Sequence, residues 1–316
     1  KFFNIFSILS PVVTGTVANA LALSVLCPPY GIIYAESRAH VHNDECGAPE
    51  LFSGGAKIIP ISGIDGKITG EQFETVISSS PKGFVHSAQP AVLSITQSTE
   101  SGTVYSVDDI KELCRLAAEF DLSVHMDGAR FANAVASLED QDPNVSLADI
   151  TWRSGVDILS FGATKNGTLG AEAVIVFDSG LANEMAFRHK RAGQLASKMR
   201  YISVQLEAYV KNDLWLCMAR HANSMCKSLA SKLKDVPGIE IVCWGHANEL
   251  FLKLRSDTIV QLRQEGFQFY DWPEGTRSES SHLHTVRLVT RHDMKISEVD
   301  EFVSAVIKYN GKLMEV

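Results

Sequence analysis

The chain has 316 residues, 45% hydrophobic and 21% charged, a composition that excludes a disordered tail and leaves room for one large domain plus a smaller one. Lys and Arg number 29 against 37 Asp and Glu, a formal net charge of -8. That balance offers no basic footprint for nucleic acid or an anionic membrane, so small-molecule chemistry is the better expectation. Cys27, Cys46, Cys114, Cys217, Cys226 and Cys243 are scattered with no Cys-x-x-Cys pair, which argues against a zinc site or a disulfide framework and for a reducing, cytoplasmic setting.

The first residues, KFFNIFSILSPVV, are apolar but too short and interrupted to span a bilayer. They could pass for the middle of a signal peptide, yet no small-residue cleavage site follows. A start at Lys1 rather than Met is what a chain lacking its leading residues would show. Residues 11–19 read as an extended segment turning into a helix that continues to residue 26, where Cys27-Pro28-Pro29 stops it. A helix opening with Thr14-Gly15-Thr16 presents free backbone N–H groups at its positive end, a seat for a phosphate; the same start reads equally as an ordinary N-cap.

Residues 31–35 read as the next strand, and the following ESRAHVHNDECG, 36–47, as a strand-to-loop region. Its two histidines and acids would suggest a metal, but no further His cluster supplies ligands, and no metal is expected. A histidine at a sheet edge can instead lie flat against an aromatic ring or take a proton from a substrate hydroxyl. Strands at 56–61, 91–96, 121–126, 157–161 and 172–178 then alternate with helices at 71–78, 107–120, 130–138 and 181–189. This β-α alternation implies a mainly parallel sheet. Helices follow at 202–210 and 214–233. From Gly238 the pattern changes to strands at 239–243, 250–254, 267–270 and 285–289 with helices at 259–265 and 297–313, a small α+β domain. The expected division is 1–212 for the large α/β domain and 213–316 for the small one.

The stretch DILSFGATKNGTLG, 157–170, places Lys165 at the end of a buried strand, with Gly162, Ala163, Gly167 and Gly170 leaving space beside it. Ligands of open α/β sheets sit at the carboxyl ends of strands. A crowded, partly dry setting there would lower the lysine's pKa and sharpen it as a nucleophile toward a carbonyl; taken alone, Lys165 also reads as a solvated loop lysine. A second strand, in LSVHMDGAR at 122–130, ends in Asp127 at the equivalent edge. An amine and a carboxylate on two strand ends are what a pyridoxal phosphate site requires: lysine forms the Schiff base and aspartate keeps the ring nitrogen protonated. Arg287, among Val286, Leu288 and Val289, is expected to meet an anion, either a substrate α-carboxylate or a partner in a structural salt bridge. No Gly-x-Gly-x-x-Gly or Gly-Lys-Ser/Thr loop supports a nucleotide enzyme.

Five segments in this order, TGTVAN (14–19), HVHNDECGAP (40–49), HMDGARFAN (125–133), SFGATKNG (160–167) and RLVT (287–290), resemble the low-specificity L-threonine aldolases. The resemblance is nearest their phenylserine aldolase branch, among β-eliminating lyases on the aspartate aminotransferase fold, and it covers essentially the whole chain. It implies a PLP-dependent transferase-like fold (fold type I) and a site in which Lys165 holds pyridoxal 5'-phosphate, Asp127 faces the pyridine nitrogen and His40 stacks on the ring. Gly15 and Thr16, helped by Thr164, would bind the phosphate, Arg200 would reach the phosphate of a neighbouring subunit, and Arg130 and Arg287 would hold the substrate carboxylate. The assembly implied is a homotetramer, a dimer of dimers with shared sites.

The implied reaction is retro-aldol cleavage of a β-hydroxy-α-amino acid, such as L-threonine, L-allo-threonine or phenylserine, to glycine and an aldehyde. The alternatives are another reaction of the same cofactor (β-elimination, racemisation or transamination) or a non-catalytic cofactor-binding homologue. Two departures stand out. Relatives carry an N-terminal Ser-Asp-Asn pattern lining the substrate site that these residues lack, so the site is expected to be incomplete. Some relatives also place a second histidine where Thr99-Glu100 stands here, leaving His40, His42 and an activated water as candidates for the base at the β-hydroxyl.

Overall fold

Seven strands form the first sheet: β1 (Ile8–Val12), β2 (Gly31–Glu36), β3 (Lys57–Ile61), β4 (Gln89–Thr96), β5 (Ser123–Gly128), β6 (Ile158–Phe161) and β7 (Glu172–Val176). The computed structural model describes residues 8–244, 246–272 and 282–311; the apolar start at 1–7 and the predicted helix end at 313 lie outside them. The sheet order is β1-β7-β6-β5-β4-β2-β3. Strands β3, β2, β4, β5 and β6 run parallel, whereas β7 is antiparallel to both β6 and β1. Strands β2, β6 and β7 are buried at every residue, as continuous apolar runs covered on both faces must be.

Because β1 and β6 share a direction, β1 ends at the edge where the parallel strands have their carboxyl ends. The helix Gly15–Leu26 therefore starts at that edge, with Thr14 as its N-cap accepting from Val17 N at 3.2 Å. Its buried side is mostly apolar: Ala18, Leu21 and Ala22 pack with Ile158, Val174 and Val176, and Leu23 packs with Ile33, Ile58 and Val92, while Asn19 and Ser24 are buried polar residues among them. One central helix thus spans both halves of the sheet. The amphipathic helix Val107–Glu119 opens with a capping box between Ser106 and Asp109 and buries Ile110, Leu113, Cys114 and Ala117.

His125 lies fully buried on β5 between two serines of the neighbouring strands, Nδ1 being 2.9 Å from Ser94 Oγ and Nε2 2.9 Å from Ser160 Oγ. Burial pushes its pKa down to about 4. The unfolded chain, with an ordinary value of about 6.5, therefore binds more protons than the folded chain between those two values. The stability this group contributes is fully present above about pH 6.5 and falls as the pH drops through about 4, by on the order of 3 kcal/mol. Denaturant midpoints across that window measure the loss, and His125→Asn, with no proton to gain, removes this component.

The chain divides into two units. One runs to Glu100 and from Val104 to Leu216; the other holds Ser101–Thr103 and the residues from Cys217 onward. Inside the second unit, Ser101 O receives the Cys243 thiol at 3.2 Å and Gly102 O receives Ala247 N at 3.3 Å, which ties this short segment to it. Its antiparallel sheet has the order β10-β11-β9-β8, with β8 at Glu240–Trp244, β9 at Glu249–Arg255, β10 at Tyr270–Asp271 and β11 at Leu283–Val289. Leu250, Leu252, Leu254 and Val286 meet Val303 and Val306 of the helix Ile296–Gly311 in its core.

Two local expectations change here. Residues 267–269 are not strand: the alternation of Phe267 and Phe269 reflects both rings packing on Phe302, with centroids 5.2 and 6.2 Å away, rather than a backbone ladder. Arg287 does not share the face of its apolar neighbours either. Strand period two buries Val286 and Leu288 and turns Arg287 to the other side, where its guanidinium lies 5.4 Å from the Tyr270 ring and 4.8 Å from the Trp272 ring.

Candidate active site

At the end of β6 the chain makes a single helical turn, Thr164–Asn166, that carries Lys165. Gly162 permits it: a Cβ there would lie 2.4 Å from Ala129 O, so only glycine lets the ends of β5 and β6 approach this closely. Glu172 at the start of β7 accepts from Ala163 N at 2.9 Å and Thr164 N at 3.3 Å. Asn166 Nδ2 donates to Tyr209 Oη at 2.7 Å and to Trp215 O at 2.9 Å. These bonds pin both sides of the lysine to buried structure.

Lys165 itself is exposed, which corrects the crowded, dry setting expected for it. The turn stands on the rim of the sheet, where Gly167 and Leu169 beyond it are also exposed while Gly162 and Ala163 before it are buried. Burial pushes the Glu172 carboxyl up, while its hydrogen bonds and the nearby Lys165 charge act in the opposite sense.

Asp127, 2% exposed, ends β5 with both oxygens held: Oδ1 accepts from Ala129 N and Oδ2 from Asn19 Nδ2, each at 2.9 Å. Asn19 lies on the central helix one turn after Gly15, and the same Nδ2 donates to Glu45 Oε1 at 2.8 Å. His40 Nδ1 is 2.9 Å from that same oxygen. Burial is the main cause that raises the Glu45 pKa, and the hydrogen bond to Glu45 is the main cause that raises that of His40. The segment bearing His40 is not strand-to-loop as expected but a helical turn, His40–Asn43. His-Val-His mimics strand alternation, yet His40 is part-buried and His42 exposed, which two residues about 200° apart on a helix also produce.

Lys165, Asp127, His40, Glu45, Asn19 and Glu172 line one cavity of about 270 Å³ together with Val13, Ala129, Thr164 and the helix start Thr14-Gly15-Thr16. It lies where ligands of open α/β sheets bind, beyond the strand carboxyl ends. A larger cavity of about 380 Å³ belongs to the second unit and is lined by Phe267, Phe269, Arg291 and Glu298 among others. Its arginine is already neutralised by Asp293 and Glu298, both at 3.0 Å, so the chemistry goes with the smaller cavity. Among the described residues no group of three or more His, Cys, Asp or Glu could hold a metal.

The family model for β-eliminating lyases matches residues 3–256. A low-specificity L-threonine aldolase of Pseudomonas sp. is 41% identical over 256 residues, 81% of this chain and 72% of that protein. The chain belongs to the β-eliminating lyase family. A solved threonine aldolase of Leishmania major superposes with a TM-score of 0.86 at 26% identity, covering 96% of this chain and 84% of that one. The structure of Oryza sativa TDC with PLP and tryptamine superposes with a TM-score of 0.73 at 14% identity, covering 98% and 71%, a likeness of fold alone. This lyase therefore has the fold-type I architecture, a mostly parallel sheet unit and a small antiparallel unit.

Of the residues singled out in the sequence, the lyase brings Gly15, Thr16, His40, Asp127, Thr164 and Lys165 to the cavity. Arg130 follows the cavity-lining Ala129 without itself lining the cavity, and is 8% exposed at the start of the helix Phe131–Gln141. Arg200 is exposed at the start of the helix Arg200–Val210, its guanidinium 5.0 Å from the ring of Tyr201. Arg287 belongs to the second unit. Sequence reasoning assigned no role to Asn19, Glu45 or Glu172. Asn19 follows Gly15 by four residues and so shares its helix face; Glu172 is a lone acid opening the apolar run AVIVF. Glu45 carries the weakest signal, because it stands in the His- and acid-rich segment HVHNDECG, whose pattern suggests metal ligands first.

Proposed function

We propose that this chain is a pyridoxal 5'-phosphate-dependent aldolase that cleaves L-threonine, L-allo-threonine or phenylserine to glycine and the corresponding aldehyde. The observation that carries this reading is the meeting of Lys165, Asp127 and a helix N-terminus in one cavity. The donor set suits the cofactor: an amine for its aldehyde, a fixed carboxylate for its ring nitrogen, and helix N–H groups for its phosphate. Space is present too, since a Cβ added at Gly15 would meet nothing within 4 Å. When bound, pyridoxal phosphate supplies an electron sink for the pair released at Cα.

In this reading Lys165 Nζ holds the cofactor, and Asp127, fixed by Asn19 and Ala129, keeps the proton on the pyridine nitrogen. Gly15, Thr16 and Thr164 hold the phosphate, with Arg200 reaching that of a neighbouring subunit in a tetramer of two dimers. His40, on the same cavity, would lie against the ring. Arg130 binds the substrate carboxylate; the matching role of Arg287 rests on the sequence motif Arg287-Leu-Val-Thr290 alone. A cytoplasmic location is supported by six cysteines that are all free thiols. No helix of the described residues is long and apolar enough to cross a membrane.

The test is product analysis. Protein loaded with pyridoxal phosphate is incubated in turn with L-threonine, L-allo-threonine and phenylserine. Glycine with acetaldehyde or benzaldehyde is the expected result. A keto acid with ammonia, a racemised substrate, or bound cofactor without turnover would instead establish β-elimination, racemisation or a non-catalytic homologue.

A further inference from the structure

We propose that Glu45 is a positioning residue that fixes His40 through Nδ1 and so makes His40 Nε2 the acceptor of the substrate's β-hydroxyl proton. The proposal deepens the aldolase reading and rests on it. Glu45 is 4% exposed, and a single oxygen, Oε1, faces both Asn19 Nδ2 at 2.8 Å and His40 Nδ1 at 2.9 Å. The orientation of Asn19 is not arbitrary. Its amide nitrogen lies between two carboxylates, Glu45 and Asp127; reversing the amide would set its oxygen against both of them.

Glu45 Oε1 is thus an acceptor toward Asn19, and toward His40 an ionised carboxylate can only accept as well. The proton of the neutral imidazole is then on Nδ1, and the lone pair is on Nε2. The same carboxylate stabilises the imidazolium that forms once Nε2 takes a proton. Asn19 extends the arrangement to Asp127, so one buried acid holds both the histidine and the carboxylate assigned to the ring nitrogen. Among the described residues nothing comparable holds His42, which is exposed on the opposite side of its turn.

In the step this implies, the β-hydroxyl proton passes to His40 Nε2 and the O–H pair becomes the second bond of the aldehyde carbonyl. The Cα–Cβ bond breaks and its electron pair stays with Cα, for which the bound cofactor would supply the sink. The charges around His40 are Glu45 on its own segment, Asp127 at the end of β5 and Glu100 just after β4, all of which favour its protonated form, with Lys165 and Glu172 on the same cavity. Removing the Glu45 charge therefore lowers the titration midpoint of His40 without abolishing the influence of the other two acids. A base must be deprotonated to act, so activity rises with pH through that midpoint, and Glu45→Gln moves the rise to lower pH.

The decisive measurement is nitrogen-15 NMR of the imidazoles, with and without pyridoxal phosphate, the His40 signal being assigned by its loss in His40→Gln. The parent protein should show neutral His40 with its proton on Nδ1. Glu45→Gln should lower the His40 midpoint by about one pH unit, move the rise of kcat by the same amount, and cut kcat about 10-fold with KM little changed. Glu45→Leu should lose the Nδ1–H form as well. A parent His40 protonated on Nε2, or a midpoint unchanged in Glu45→Gln, overturns the proposal; should the variants not fold, the parent tautomer decides alone. Glycine formation with the wrong tautomer overturns the proposal and leaves the aldolase reading intact. The right tautomer and shift without glycine overturn the aldolase reading, and with it the proton transfer.

Discussion

Lys165→Ala should abolish the visible absorbance of lysine-bound pyridoxal phosphate and reduce glycine release from threonine by about 1,000-fold or more, the scale on which loss of a covalent or proton-transferring group acts. Borohydride, which fixes the cofactor to the parent chain, should leave the variant unlabelled. The fold should be untouched. Lys165 is exposed, and the backbone hydrogen bonds to Glu172 and the side-chain bonds of Asn166 hold the turn that carries it. An unfolding free energy equal to that of the cofactor-free parent, within the roughly ±0.5 kcal/mol expected of a surface substitution, separates lost chemistry from lost structure. A variant as active as the parent would refute the assignment.

The second large effect is expected at Asp127. Asp127→Ala should retain part of the cofactor, because Lys165 and the helix start at Gly15 are unchanged, but lose about 100-fold or more in kcat, since the ring nitrogen no longer has a carboxylate to keep it protonated. KM should change much less than kcat. Unlike Lys165, Asp127 is buried, and its removal leaves Ala129 N without its 2.9 Å acceptor. A stability cost of about 1–3 kcal/mol follows from a buried donor left unmet. Asp127→Glu restores the charge with one extra methylene, so partial recovery of kcat in that variant but not in Asp127→Asn identifies the charge, rather than the packing, as what matters.

Much of the architecture was legible before any coordinates. The capping residue Thr14, the proline pair that ends the central helix, the apolar runs of β2, β6 and β7, and the period of Val107–Glu119 are local signals, and the structure realises them at nearly the expected residues. Local signals also misled. His40-Val-His42 alternates as a strand does and Phe267 and Phe269 alternate likewise, yet one is a helical turn and the other a pair of rings on Phe302. In such short segments the period of two arises from side-chain packing as readily as from a ladder.

What the sequence by itself determined is the set of elements and the reactive residues at their ends, because helix caps, strand periodicity and a lysine or aspartate closing an apolar strand depend only on near neighbours along the chain. The fold decided what touches what. Asn19 joins Asp127 across 108 positions and Glu45 across 26, Glu172 reaches back to hold the lysine turn, and Lys165 stands in solvent on the rim. Those outcomes depend on strand order and on the direction of β1, which bring distant residues to a common edge and which no periodicity along the chain encodes.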